Sequence, residues 1–214
     1  MSLVALGQGV PFFMAGDDLL RSKDMDQNSY DSGDWFNKID WTGQGNNWGI
    51  GLPIASQNQN QWSFEQLLLA NAALKPTPAE IQSTTAAFQE FLRIRGSSDL
   101  FRLETLPQIQ SHLHFLNTGA SQTPGLIVME LSTATPSARL PITAARPYQH
   151  IVVLFNATNT QQSFTAPALA GLNLRLHPIQ QSSADPILRS SSFDAKSATA
   201  IVPALTTAVF VNSE

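Results

Sequence analysis

The strongest periodic signal in the chain is helical. In "PTPAEIQSTTAAFQEFLRIRG", Ile81, Thr85, Phe88 and Leu92 recur at helical spacing, and Phe91 widens the apolar stripe. Thr77 stands at an N-cap position, Pro78 fits the first helical position, and Glu80 follows the cap by three residues. Arg93 and Arg95 suit the negative end of the helix dipole, and Gly96 is a stop signal. The pattern predicts a helix over 78–95.

Beyond Gly96 the period shortens to two. Strands are predicted at Gln110–Asn117, Gly125–Leu131, His150–Asn156, Gln162–Thr165, Asn173–His177, Ala200–Val202 and Thr207–Val211. They are short and separated by Pro, Ser, Thr and Gly, which predicts an antiparallel β-sandwich. The mixed Ser/Thr/Ala/Pro segment Thr133–Ala145 reads as a loose surface loop. Upstream of the helix the signals differ. Leu3–Leu6 is a helical or buried apolar piece. "GVPFFMAG" (Gly9–Gly16), an apolar run bounded by glycines, reads as a buried strand. The amide-rich stretch of about 21–64 exceeds an ordinary connection, and such lengths are functional or disordered. Its aromatics argue for order. The predicted organisation is α+β, with a first part over 1–97 and a β-domain over 98–214. One buried strand and one helix cannot make a parallel sheet, so the first part reads as the end of something larger.

Composition narrows the function classes. A net charge of −4, with no basic run longer than two residues, argues against nucleic acid as a partner. No apolar run approaches the roughly 20 residues of a membrane helix, so no membrane partner is expected. The start is apolar but lacks the basic flank of a signal peptide, and localisation is left open. The absence of Cys removes disulfides, thiol catalysis and Cys-zinc sites.

Three segments in order carry a family resemblance: "LLRSK", "NSYDSGDWFN" and "LKPTP". Around them, "GVPFFMAGDDLLRSKDMDQNSYDSGDWFNKIDW", "NNWGIGLP", "ANAALKPTPAEI" and "FLRIRGSSDLFRL" resemble the pullulanase and limit-dextrinase type of starch-debranching enzyme, in the α-amylase superfamily. "FLNTG" and "TPGLIVMEL" resemble early strands of its C-terminal β-domain. The likeness is dense over about residues 3–131. It implies the final strand, loop and helix of a (β/α)8 barrel, followed by an antiparallel β-sandwich. It implies an α-1,6-glucosidase that cleaves branch linkages in starch- or glycogen-derived dextrins or pullulan with retention. The implied partners are the branched α-glucan and the remainder of the barrel, with no cofactor. The carboxylates of retaining hydrolysis lie on earlier strands in that family, so this chain is expected to hold no catalytic residue and to be inactive alone. Met14 stands where relatives often have His. The alternative reading is a non-catalytic carbohydrate-binding or structural β-sandwich module.

Each candidate binding residue carries a second reading. Arg21 is either a sugar-binding arginine at a cleft rim or an ion-pair partner of Asp17, Asp18 or Asp24. Asp34 accepts from glucose hydroxyls or belongs to a Ser-Gly-Asp turn, and Trp35 shapes the cleft wall or anchors the loop. Asn28 and Asn37 contact sugar or act as Asx-turns and caps. Gly51–Asn60 is a candidate rim or plain solvated surface. "DMDQN" (Asp24–Asn28) begins like a calcium loop, but Tyr30 and Asp31 do not continue it. His112 and His114 are placed on one strand face at i, i+2 with no third ligand, so no metal is expected. An uncovered apolar face is expected at Val10, Phe12, Phe13, Ile81, Phe88 and Leu92.

Overall fold

The computed structural model describes residues 1–133 and 148–213. In chain order the helices are α1 (Ser2–Leu6), α2 (Asp34–Asn37), α3 (Ala55–Asn58), α4 (Trp62–Leu69), α5 (Pro78–Ser97), α6 (Leu106–His112), α7 (Pro178–Gln181) and α8 (Pro186–Arg189). The strands are β1 (Leu113–Phe115), β2 (Leu126–Ser132), β3 (Tyr148–Asn156), β4 (Gln162–Thr165), β5 (Arg175–Leu176), β6 (Ser192–Asp194), β7 (Thr199–Val202) and β8 (Thr207–Ser213). The chain divides into two compact units, one of Met1–Pro11 with Glu90–Glu214 and one of Phe12–Gln89, so the division falls inside α5. The predicted loop at Thr133–Ala145 lies, beyond Thr133, outside the described residues.

In the first unit all strand pairings are antiparallel. Five strands run in the order β1-β2-β3-β8-β5, and three in the order β4-β7-β6. One apolar cluster joins both sheets: Val128, Val152, Leu154 and Phe210 from the larger, Ala200 and Val202 from the smaller. Fully burying each Val, Leu or Phe contributes about 1.5–3 kcal/mol. β2 and β3 are buried along most of their length instead of alternating, because the larger sheet is covered on both faces. On its far side β2 meets α6 and the 3₁₀ turn Asp99–Arg102. The buried residues Ile94, Leu100 and Phe101 belong to this helical layer.

The register slips between Tyr148 and Ile151, where the His150 N–H donates to the Asn212 side chain at 2.7 Å. The side chain thus satisfies a donor that the ladder cannot.

Two predicted elements of this unit are corrected. Gln110–His112 is helical, and β1 begins only at Leu113. The reason is a capping box: Thr105 Oγ1 accepts from Gln108 N, and Gln108 Oε1 accepts from Thr105 N. That box starts α6 and carries it through His112, so His112 and His114 do not share a strand. His112 is buried, with Nδ1 2.8 Å from the Ser132 carbonyl. β5 is also shorter than expected, because Pro178 starts α7 with His177 as its N-cap.

His177 is a structural histidine with a defined proton. Its Nδ1 accepts from Ile179 N at 3.2 Å, which places the hydrogen on Nε2, facing Ser97 Oγ at 3.1 Å. Ser97 Oγ in turn donates to Ile94 O at 2.7 Å. Burial pushes the ring's pKa down to about 4. The unfolded ring, near 6.5, binds a proton that the folded ring refuses. This contribution to stability is complete above pH ~6.5 and drains as pH falls toward 4, by roughly 3 kcal/mol in all. Urea unfolding from pH 7.5 to 4.5 should show the loss, and His177→Asn, which can still cap but does not titrate, should remove that part of the slope. Equal slopes in both proteins would contradict the assignment.

In the second unit, Thr77 caps α5 as predicted. Glu80 N donates to Thr77 Oγ1 at 3.3 Å, and Thr77 N donates to Glu80 Oε2 at 2.7 Å. The helix runs through Gly96 to Ser97, two residues beyond the predicted end.

Gly9–Gly16 is not a strand. A strand needs a neighbour, and no strand of the described residues pairs with it. The expected uncovered face is present only in part. Val10 is 93% and Phe12 89% exposed, and Leu92 is exposed, but Ile81 is fully buried. Phe13 and Phe88 cover each other edge to face, with ring centroids 4.8 Å apart.

Candidate functional site

The amide-rich stretch of the second unit is held by side chains that replace regular backbone pairing. Asp24 is its centre. Its carboxylate is buried and accepts from the backbone N–H groups of Gly49 (2.9 Å), Ile50 (3.0 Å) and Gly51 (3.3 Å) and from Ser22 Oγ (3.1 Å). Asp24 has φ +46°, a left-handed conformation that Asp tolerates better than most residues. Asn46 Nδ2 donates to Leu20 O at 2.7 Å, and Asn47 Nδ2 to Lys38 O at 2.6 Å.

Asp26 makes a second node. It accepts from Ser32 Oγ, from Asn58 Nδ2 at 3.0 Å and from Asn28 N at 3.1 Å. Burial pushes its carboxyl pKa up, but the hydrogen bonds from Ser32, Asn28 and Asn58, with the Lys23 charge, hold it below the usual range.

On this frame sit the residues singled out from sequence. Arg21 is half-buried, and its Nη1 donates to Asn37 O at 3.0 Å. Among the described residues it forms no ion pair with Asp17, Asp18 or Asp24. Its aliphatic stem crosses Gly16, where φ is +95° and a Cβ would lie 2.9 Å from the Arg21 Cβ. Only glycine fits there. Asn37 Nδ2 donates to Ser29 O at 2.6 Å. Asn28 caps the turn Ser29–Asp31, its Oδ1 accepting from Tyr30 N at 3.4 Å, as its Asx-turn reading anticipates.

Asp34 opens α2 and is exposed, and among the described residues its carboxylate has no hydrogen-bond partner. Trp35 is 56% exposed and meets Phe36 edge to face at 5.4 Å. A Cβ on Gly51 would lie 3.1 Å from its six-membered ring, so the glycine makes room for the indole. Arg21 and Asn37 are therefore bonded directly, Asp34 and Trp35 share one short helix, and Asn28 caps the turn just before it. Tyr30 and Trp41 are also largely exposed. The rim read at Gly51–Asn60 contains α3, beside a recess of about 550 Å³ lined by Ala55, Ser56, Gln57, Gln59 and Asn60.

The arrangement presents a free carboxylate, part of a guanidinium fork and exposed aromatic faces on an ordered loop. Those groups can bind hydroxyls and stack on apolar ring faces. They do not form a nucleophile–base pair. Among the described residues, no three His, Asp or Glu side chains are grouped to hold a metal.

Sequence reasoning missed Asp24 and Asp26 as organisers. It also missed Glu65, which is buried in α4 with both carboxylate oxygens unpaired among the described residues, like the Trp48 indole N–H. Burial, then the Asp26 charge, pushes the Glu65 pKa up. The available signal was a lone acid beside the apolar run Leu67–Leu69.

Residues 43–213 match the model of the family described as alpha-1,6-glucosidases, pullulanase-type, C-terminal. The chain is 45% identical over 212 residues to chloroplastic pullulanase 1 of Arabidopsis thaliana, covering 99% of this chain and 22% of that protein. The crystal structure of apo pullulanase from Klebsiella pneumoniae superposes with a TM-score of 0.86 at 32% identity, over 100% of this chain and 22% of that one. A maltotriose complex of PulA from the same organism superposes with a TM-score of 0.83 at 32% identity, again over 100% of this chain and 22% of that one. The chain thus spans about a fifth of the length of these relatives.

Proposed function

Since the chain belongs to the pullulanase-type α-1,6-glucosidase C-terminal family, we propose that it is the C-terminal part of an enzyme that hydrolyses α-1,6 branch linkages in starch- or glycogen-derived dextrins or pullulan. In this reading hydrolysis proceeds with retention, and its two carboxylates are supplied by barrel segments outside these 214 residues. The Phe12–Gln89 unit contributes a wall of the substrate cleft. Gly9–Gly16 becomes the last barrel strand when its neighbour is present. Its apolar side chains at Val10 and Phe12 are exposed, and the N–H groups of residues 10, 12 and 13 make no hydrogen bond among the described residues, as expected of a strand awaiting a partner.

The observation that carries the cleft-wall role is the ordered, unspent polarity of the loop. Among the described residues the Asp34 carboxylate has no partner, and the Arg21 guanidinium donates to Asn37 O and to no other group. Asp34 can accept from glucose hydroxyls, Arg21 can donate to a hydroxyl pair, and Trp35 can line a ring face. Asn28 and Asn37 chiefly hold the loop's shape.

The test has two arms. The 214-residue chain, incubated with pullulan, should release reducing sugar no faster than buffer. Maltotriose added to the same chain should shift the amide resonances of Arg21 and Asp34, and Arg21→Ala and Asp34→Ala should each weaken that binding about tenfold. Turnover above buffer would refute the placement of the acids elsewhere. Maltotriose shifts that leave Arg21 and Asp34 untouched would refute the cleft wall.

A further inference from the structure

The sandwich carries a recess that the proposed cleft does not use. It measures about 280 Å³ and lies at the β5 edge of the five-stranded sheet. Its polar lining is Tyr148, Asn173, Arg175 and Gln181, and Leu176 and Pro178 supply apolar surface.

The register explains why these groups gather there. Arg175 is paired with Val211, and Leu176 with Phe210. Leu176 and Phe210 enter the core cluster, so Arg175 and Val211 are turned to the other face. Among the described residues β5 has no strand on its outer side, and the recess lies along that edge. Tyr148 enters at the start of β3, its ring held edge-on to His177 with centroids 5.4 Å apart.

The hydrogen-bonding capacity of the lining is largely unspent. Arg175 and Asn173 are exposed and, among the described residues, make no side-chain hydrogen bond or ion pair; the Tyr148 hydroxyl likewise has no partner among them. Gln181 Nε2 donates to Leu176 O at 2.5 Å, and among the described residues its Oε1 accepts no hydrogen bond. The recess therefore offers a guanidinium fork, an amide that both donates and accepts, a free amide oxygen, a phenol and an apolar patch.

We propose that this recess is a second carbohydrate site, taking one glucose ring of an α-glucan chain. A neutral polyol matches such a lining, because each sugar hydroxyl both donates and accepts. A phosphate or carboxylate fits it less well, since Arg175 is the one cation among the described lining residues and the Gln181 oxygen would oppose an anion. The volume, about 280 Å³, lies just below the roughly 300–1,000 Å³ typical of ligand pockets, which suits a single ring better than an oligosaccharide. That the sugar is an α-glucan rests on the activity proposed above; that it is a sugar rests on the lining alone. A polymer held here is kept at high local concentration for any other site on the same protein.

Maltotriose titration of the ¹⁵N-labelled 214-residue chain tests the site directly. The expected result is a saturable set of shifts at the amides of Tyr148, Asn173, Arg175 and Gln181, weakened about tenfold by Arg175→Ala. Arg175 lies exposed on an edge, so this variant should melt with wild type; Tyr148→Ala, which removes the ring packed on His177, is the second variant and is read only alongside its melting curve. Shifts at Arg21 and Asp34 with none at the recess would overturn this inference and leave the proposed cleft standing. Shifts at the recess with none at Arg21 and Asp34 would do the reverse. Inorganic phosphate is the counter-probe: larger shifts with phosphate than with maltotriose would make the recess an anion site and overturn the assignment.

Discussion

Asp24→Ala should lower the stability of the chain by about 3 kcal/mol and loosen the loop that carries Arg21, Asp34 and Trp35. The carboxylate accepts three backbone N–H groups in succession, from Gly49, Ile50 and Gly51, and also the Ser22 hydroxyl. Alanine removes every one of these acceptors at once. Gly49 and Ile50 are exposed enough for water to replace part of the loss, which keeps the estimate below the sum of the separate bonds. Asp24→Asn is the informative companion. Asn keeps the size and tolerates φ +46°, but it has one acceptor oxygen where Asp has two. Oδ1 serves Gly49 while Oδ2 serves Ile50 and Gly51, so the new amide must point its own hydrogens at a donor whichever way it is turned. Asn should therefore recover only part of the stability. Urea unfolding of the three proteins, with amide exchange at residues 49–51, measures this. An Asn variant as stable as wild type would show that the paired acceptor geometry is unimportant.

How far the sequence anticipates this structure depends on the range over which each element is determined. α5 is legible because its cap, stripe and length are all local: Thr77, Pro78, Glu80 and the Ile81–Leu92 periodicity lie on one helix. β4 was read at Gln162–Thr165, and β2 and β3 were located to within two residues at each end, because short apolar runs between turn residues carry their own boundaries. β6, three residues of "SFD", carries no such signal. α6 shows local chemistry overriding pattern. The run from Gln110 resembles a strand, but the Thr105–Gln108 box had already committed the chain to a helix. Gly9–Gly16 shows the opposite limit, since an apolar run takes up strand geometry only against a neighbour.

The site was legible in its chemistry and not in its wiring. Arg21, Asp34 and Trp35 stand out as residue types suited to sugar, but nothing in their spacing says that Arg21 donates to the Asn37 carbonyl. The bonds that organise the loop run from Asp24 to Gly49–Gly51 and from Asp26 to Asn58, across 25 to 32 residues. Side-chain hydrogen bonds of that reach leave no period behind. They do leave a composition, rich in Asn, Asp and Gly, which is why order could be anticipated while the partners could not.

The N-terminal segment of the sandwich unit depends in the same way on one distant residue, and Arg95→Ala should cost about 3 kcal/mol. The Arg95 guanidinium is buried and donates to three carbonyls of that segment: Ala5 at 3.0 Å, Gly7 at 2.6 Å and Gly9 at 2.5 Å. Burial lowers its pKa, with the neighbouring Arg102 charge adding to the effect, so the protein bears a desolvation cost to place a cation there. Three charge-assisted bonds offset that cost, and removing the head leaves three carbonyls short of a donor. A lysine cannot substitute, because a point ammonium does not span three acceptors that the planar fork reaches together. Arg95→Met, which keeps most of the stem, separates lost packing from lost hydrogen bonds. The same segment has a second tie in Gln8, whose amide donates to Leu100 O at 2.6 Å and accepts from Leu103 N at 3.0 Å. With Arg95 removed, exchange at residues 5–9 should accelerate well before the sheet opens, since the Gln8 bonds, the Ser2–Thr207 contact and the packing of Ala5 and Leu6 are then what hold the segment. If Arg95→Met unfolds at the wild-type urea concentration and the exchange of those amides is unchanged, the guanidinium is not what fastens the segment to the sandwich.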